Sequence, residues 1–186
     1  MNTPEHKPKT GKEITLIKRV SIAISLALVL VAVMAGAAAA KAFIGTDGPD
    51  TIFGTTAADS IRGQGGDDYL NGRGGNDTVQ GEDGEDTVLG NVGDDFLKGG
   101  ADGDLIVGGV GADQAYGMTG NDDIRMAGDT QQDFVNCGED ASGTDVDTAR
   151  VSGNDLIDGT RAGGLTTTTG LSCERIIVDG VAIPHL

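Results

Sequence analysis

The sequence predicts an all-β solenoid, and three columns of residues in a nine-residue register predict it. Written in rows of nine from Gly45, the chain reads GTDGPDTIF, GTTAADSIR, GQGGDDYLN, GRGGNDTVQ, GEDGEDTVL, GNVGDDFLK, GGADGDLIV, GGVGADQAY and GMTGNDDIR, with no insertion over 81 residues. Position one is glycine in all nine rows. Position six is aspartate in all nine: Asp50, Asp59, Asp68, Asp77, Asp86, Asp95, Asp104, Asp113 and Asp122. Position eight is aliphatic throughout: Ile52, Ile61, Leu70, Val79, Val88, Leu97, Ile106, Ala115 and Ile124. A fixed short period marks a stack of like units, each too small to bury its own apolar side chain.

Each column has a local reason. Glycine at position one, and at position four in seven rows, suits a backbone of positive φ whose carbonyls converge without a Cβ in the way. In the last three positions the aliphatic residue stands between mostly polar neighbours, the period-two pattern of a short half-buried strand. The expectation is a six-residue turn followed by a three-residue strand. Alternate units then stack on the same side. Ile52, Leu70, Val88, Ile106 and Ile124 form one internal ladder, and Ile61, Val79, Leu97 and Ala115 the facing one.

Charge narrows the partners. The 186 residues carry 32 glycines, no tryptophan and 29 acidic against 13 basic side chains, a formal charge of -16. Such a chain repels itself when compact unless counter-cations accompany it. Nucleic acid and anionic membrane surfaces are excluded as partners, because they attract clustered Lys and Arg.

The first forty residues differ in kind. Lys7, Lys9, Lys12, Lys18 and Arg19 precede an apolar run from Val20 to Ala35 that ends in small residues, the order of a secretory signal peptide. Cleavage after Ala40 and after Ala42 satisfy the small-residue rule equally well, and an uncleaved anchor is the alternative, since Val20 to Ala40 is almost long enough to span a bilayer. Removal of residues 1–40 leaves 8 basic and 27 acidic residues, a formal charge of -19. The expected product is secreted and extracellular, with no membrane association after cleavage. The domain division is a signal peptide over 1–40, a repeat domain over 43–136 and a capping segment over 137–186.

In the last third, GDTQQDFVN keeps Gly128, Asp133 and Val135 in the repeat columns after a slip at Met126-Ala127, and reads as a degenerate tenth unit. The segment beyond it is expected to cap the stack. Cys137 and Cys173 are the only cysteines, and an oxidising exterior favours one disulfide between them over free or intermolecular thiols. Such a bond would close a loop worth roughly 4 kcal/mol on the chain-entropy account. Ile176 to Val178 and Val181 to Ile183 read as short strands about the Asp179-Gly180 turn, and Thr166 to Thr169 as a solvated loop.

These rows resemble the hemolysin-type, or RTX, calcium-binding repeat, whose pattern is G-G-x-G-x-D-x-U-x with U a large aliphatic residue. The resemblance implies a right-handed parallel β-roll with each calcium ion held between two stacked turns. Its ligands would be the nine position-six carboxylates, Asp50 through Asp122, and backbone carbonyls of the glycine-rich segment, with Gly45, Gly63, Gly72, Gly81, Gly90, Gly108 and Gly117 as the candidates. Calcium takes six to eight oxygen ligands, so this donor set suits it. At most seven inter-turn sites fit among nine regular turns. The chain departs from the pattern at position two, glycine only at Gly100 and Gly109, which reads as the most tolerant position. Ala57 and Asp102 replace the position-four glycine, so their turns are expected to be the weakest. Stacked carboxylates repel one another without metal, and folding coupled to calcium binding is therefore expected.

Rival readings fit less well. No H-E-x-x-H or G-x-S-x-G motif occurs, and beyond residue 40 the only histidine is His185, so neither a metalloprotease nor a serine hydrolase is built in and no enzyme activity is expected. EF-hand spacing is missing. A recognition solenoid for glycan or ice would show an outward ladder of one residue type, and position seven is mixed, from Thr51 and Ser60 to Leu105 and Asp123. An unknown cell-surface or matrix partner stays open, as do structural, adhesive and calcium-sequestering roles.

Overall fold

A computed structural model describes residues 39–126, 128–138, 146–158, 160–161 and 172–183. The leader segment, Ala127, the Thr166 to Thr169 loop and His185 lie outside the described residues. The described chain is all β. One eight-stranded sheet contains, in spatial order, β1 (Ala42–Ile44), β3 (Ser60–Gly65), β5 (Thr78–Asp83), β7 (Phe96–Ala101), β9 (Gln114–Met118), β11 (Phe134–Gly138), β13 (Leu156–Ile157) and β14 (Thr160–Arg161). The other contains β2 (Thr51–Phe53), β4 (Tyr69–Gly74), β6 (Thr87–Val92), β8 (Leu105–Val110), β10 (Asp123–Arg125), β12 (Thr148–Val151), β15 (Arg175–Val178) and β16 (Val181–Ile183). Neighbours pair in parallel except at the last step of each sheet, where β14 and β16 fold back antiparallel. From β1 to β13 the chain thus alternates between two sheets, one strand per visit, which is a parallel β-solenoid.

Both predicted ladders form. Ile52, Leu70, Val88, Ile106 and Ile124 are register partners in succession, as are Ile61, Val79, Leu97 and Ala115. Each ladder also runs further than the nine rows. Phe43 precedes Ile61 and Val135 and Ile157 follow Ala115, while Ala149 and Ile176 follow Ile124. Except for the partly buried Ile52, these side chains form one continuous buried core.

The strands correct one expectation. In the middle of the array they span six residues, not three, from position seven through position three of the next row. Buried residues alternate along them: Asp68, Leu70 and Gly72 face inward, whereas Tyr69 is exposed and Asn71 half-buried. Position one is therefore the second inward residue of a strand, after the aliphatic one, and not part of the turn. The strand continues because the ladder does: Gly54 N–H donates to the Asn71 carbonyl at 2.7 Å and Tyr69 N–H to the Asp50 carbonyl at 2.9 Å.

Backbone conformation corrects a second expectation. Positive φ falls at positions two and four, and the position-one glycines do not share it. Gln64, Arg73, Glu82, Asn91 and Met118, all at position two, have φ between 74° and 90°. The position that seemed most tolerant is thus a left-handed one, in which side chains carry a steric cost. Asp102 adopts φ 69° as expected, but Ala57 is not left-handed and carries no such strain.

The C-terminal end is tied by the disulfide Cys137–Cys173, both residues fully buried. Ile176–Val178 and Val181–Ile183 form the expected hairpin. Outside the sheets, Phe96, Tyr116 and Phe134 pack ring against ring across β7, β9 and β11 at centroid distances of 5.3 and 5.7 Å.

Candidate metal centre

The turns joining the two sheets fall in two rows, and each row carries a ladder of acidic residues. One runs Asp50, Asp68, Asp86, Asp104, Asp122, Asp147 and Glu174. The other runs Asp59, Asp77, Asp95, Asp113, Asp133 and Asp155. Within each ladder the backbone N–H of one residue donates to a carboxylate oxygen of the next, at 2.7 to 3.2 Å. The second row begins one coil earlier, where Lys41 N–H donates to Asp59 Oδ1 at 2.8 Å. One carboxylate oxygen per coil is thus spent on holding the coil before it.

The second oxygen distinguishes the turns. Oδ2 of Asp68, Asp77, Asp86, Asp95, Asp104, Asp113 and Asp133 is buried and has no hydrogen-bond partner. A buried carboxylate oxygen without a partner is costly. Its effect on ionisation follows. Burial pushes Asp77, Asp86 and Asp113 up to about 6, Asp95 and Asp133 up to about 7 and Asp104 up to about 8. Backbone N–H donation opposes the rise, and the carboxylates of adjoining coils add to it.

In the first two turns the same oxygen is occupied. Thr46 donates its N–H and hydroxyl to Asp50 Oδ2 at 2.6 and 2.9 Å, and Thr55 does so to Asp59 Oδ2 at 2.6 and 2.8 Å. Both threonines stand at position two, where the later turns are left-handed. Threonine at position two, and not the loss of glycine there, therefore marks the turns that satisfy their own carboxylates: Gln64, Arg73, Glu82 and Asn91 also replace that glycine, and Oδ2 of Asp68, Asp77, Asp86 and Asp95 stays without a partner.

The position-one glycines sit where these oxygens converge. A Cβ built on Gly81 would collide with Asp86 Oδ2 and lie 2.8 Å from the Gly99 carbonyl oxygen. The same crowding, by the carboxylate of its own turn and the position-one carbonyl one coil on, recurs at Gly45, Gly54, Gly63, Gly72, Gly90 and Gly99. Among the carbonyl candidates, Gly63, Gly72, Gly81, Gly90, Gly108 and Gly117 have their oxygens, or the glycines themselves, in this arrangement; Gly45 meets it only from the side of its α-carbon. Gly99, absent from the sequence-based candidates, has the same geometry. Glycine is required here by the close approach of oxygen atoms and not by φ.

Four acidic residues escape a reading based on regular rows: Asp133, Asp147, Asp155 and Glu174 continue the ladders beyond the nine units. Asp133 was legible as part of a tenth row. Asp147 and Glu174 carry only the short signature acid-x-aliphatic, in Asp147-Thr148-Ala149 and Glu174-Arg175-Ile176, whereas Asp155 keeps a position-four glycine as well, in Gly153-Asn154-Asp155-Leu156-Ile157. Among the described residues no three His, Cys, Asp or Glu side chains gather as a metal-binding group. Any ion between coils would therefore rely on backbone carbonyls beside one or two carboxylates, a donor set of hard oxygens that suits calcium.

A parallel solenoid with stacked, unneutralised carboxylates in its turns is a cation-binding repeat solenoid. The particular kind is settled by sequence comparison: the RTX calcium-binding nonapeptide repeat, in its four-copy form, matches residues 44–79, 64–97, 71–106, 80–115 and 98–125. The array is therefore one of RTX calcium-binding repeats. No curated protein and no solved structure matches the chain.

Proposed function

We propose that this chain is an exported structural protein whose repeat array folds on binding calcium between stacked turns. The observation that carries the reading is the set of seven buried Oδ2 atoms without partners, aligned along two rows, with those of Asp68, Asp77, Asp86, Asp95 and Asp104 beside position-one carbonyls. Bound calcium would supply the positive charge that these oxygens lack. Asp50, Asp59, Asp68, Asp77, Asp86, Asp95, Asp104, Asp113 and Asp122 are the acidic members of the regular array, with Asp133 as a tenth.

The Thr46 and Thr55 turns bear on the number of ions. Seven inter-turn spaces lie among the nine regular turns. If the two whose lower carboxylate is held by threonine stay empty, five remain, and the space between Asp113 and Asp133 adds a sixth. Export suits this arrangement, since calcium modules outside the cell work at roughly 0.1 to 1 mM affinity. Signal cleavage after Ala40 would keep the Lys41 contact with Asp59, whereas cleavage after Ala42 would remove it along with the first residue of β1.

The carboxylates recur coil after coil in equivalent settings, which supports a repeated ligand role over a single catalytic pair. Far-UV circular dichroism of the chain lacking residues 1–40, titrated with calcium and with magnesium as control, tests the proposal. A β spectrum that appears only with calcium is expected. A full β spectrum in chelator at neutral pH would refute coupled folding.

A further inference from the structure

The outer face of the last coils runs against the charge of the molecule. Elsewhere the described basic side chains are dispersed: Arg62 pairs with Glu82 at 3.0 Å, Arg73 lies over the Phe53 ring and Lys98 over the Phe96 ring. Only on β10, β12 and β15 do three gather. Arg125 is the register partner of Arg150, and Thr148 is that of Arg175. Their neighbours Ile124, Ala149 and Ile176 are buried in the core, so the arginines lie on the opposite, solvent-facing side of three adjacent strands.

Like charges directly opposite on paired strands are destabilising, and Asp123 offsets this only in part. Its carboxylate binds Arg125 at 2.6 Å and also Arg150. One carboxylate shared by two guanidinium groups fixes their orientation and leaves N–H donors unused, since each carries five. Arg175 is exposed, and its side chain makes no ion pair or hydrogen bond with the described residues. Between Arg150 and Arg175 lies a groove of about 440 Å³, bordered by Thr148, Ile176, Ile177, Ala182 and one acid, Glu174, whose Oε2 accepts the Asp147 N–H at 2.9 Å. That volume is in the range of small-molecule sites. The basic side chains at this groove are both arginine, the planar fork that matches carboxylate and phosphate oxygens.

We propose that this groove binds an oxyanion, a carboxylate or phosphate carried on a sugar-sized body, with Arg175 and the free donors of Arg150 on the anionic group, Thr148 beside it and Ile177 and Ala182 under the body. The groove lies apart from the carboxylates assigned to calcium, Asp50 through Asp133, and of the acidic ladders only the last member, Glu174, borders it. It also selects among partners: a neutral sugar gains nothing from the arginines, and the acidic remainder of the surface repels an anion everywhere else.

The test uses the calcium-loaded chain lacking residues 1–40, with glucuronate, a glucuronate-containing oligosaccharide, inorganic phosphate and glucose as probes. Calorimetry should register both glucuronate probes, with competition by phosphate and no response to glucose. Tighter binding of the oligosaccharide would point to a polymer-borne anion, and equal binding to a free small acid. Arg175→Gln should weaken binding at least tenfold while leaving the circular dichroism spectrum unchanged. Amide shifts at Thr148, Ile177 and Ala182 in the unmodified chain give a second readout that needs no variant. Three results would overturn the site: no binding of either oxyanion at millimolar concentration, binding undiminished in Arg175→Gln, which would place the acid on the calcium rows, or self-association through this face abolished by that substitution.

Discussion

The regular array and the C-terminal coils share a ladder but fill it differently. In the array, the inward residue that follows the aliphatic one is glycine, and the space it leaves is taken by Oδ2 of the aspartate and a carbonyl oxygen. In the later coils the same slot holds Met126, Cys137, Val151 and Val178, all buried. Met126 even reaches back against Gly108. Side-chain carbon replaces a polar cavity, and the Cys137–Cys173 bond is added. One region thus leaves carboxylate and carbonyl oxygens facing one another in the slot and the other fills it with side chains, while the first two turns satisfy their carboxylates through Thr46 and Thr55. If calcium occupies the turns as proposed, the middle of the solenoid should depend on metal more than the coils at its two ends.

The largest expected effect tests that contrast directly. Chelation at neutral pH should abolish amide-exchange protection in the strands from Ser60 to Arg125, with protection surviving longest around Cys137 and Cys173. Uniform loss along the chain, measured by exchange and mass spectrometry, would break the comparison.

Acid should partly replace the metal. The folded carboxyls of Asp77, Asp86, Asp95, Asp104, Asp113 and Asp133 lie at about 6 to 8, above the usual unfolded value of about 4. A raised folded pKa contributes stability that is complete below about pH 4 and is lost as pH rises through 6 to 8. Chelated protein should therefore recover β structure when acidified to about pH 4 and lose it again by pH 8. Calcium affinity should move the opposite way, because the ion needs the deprotonated oxygens.

Single substitutions sharpen the slot argument. Gly81→Ala puts a methyl where Asp86 Oδ2 and the Gly99 carbonyl already meet, and should cost about 1–3 kcal/mol of stability in calcium as well as lowering the calcium stoichiometry. Met126→Ala opens a cavity instead, at about 2–5 kcal/mol, with the stoichiometry unchanged. Calorimetric titration of both variants separates the two. A Gly81→Ala variant with full calcium binding would show that the slot is not part of a metal site.

The smallest effect concerns the backbone. Met118 is held at φ 90°, so Met118→Gly should raise stability by about 1 kcal/mol, read as an upward shift of the thermal midpoint in calcium. A decrease would mean that the side chain contributes more by packing than the left-handed conformation costs.

Much of this architecture is legible in one dimension because each unit contacts its equivalents one coil away. Period, inward aliphatic ladder, acidic column and terminal hairpin are read from spacing, and the disulfide from there being only two cysteines. The later coils are harder to see, since their loops vary in length: successive ladder contacts span 18 residues in the array but 20, 22, 25 and 27 in the tail. Without a position-four glycine, Asp147 and Glu174 look like ordinary surface acids, and Asp155, which keeps Gly153, is hidden by the irregular spacing alone.

By itself, the sequence determined that the chain forms a stack of nonapeptide units, two to a coil, with one aspartate and one aliphatic core residue per unit, because a strict period leaves no other way to bury the aliphatic column. Tertiary structure alone decided what the columns do. The position-one glycine proved to be a steric requirement of converging oxygens, the left-handed residue proved to be the second, and Asp50 and Asp59 proved to be satisfied by threonine. These are relations between atoms a coil apart or folded back within a turn, and the order of residues along the chain does not encode such distances.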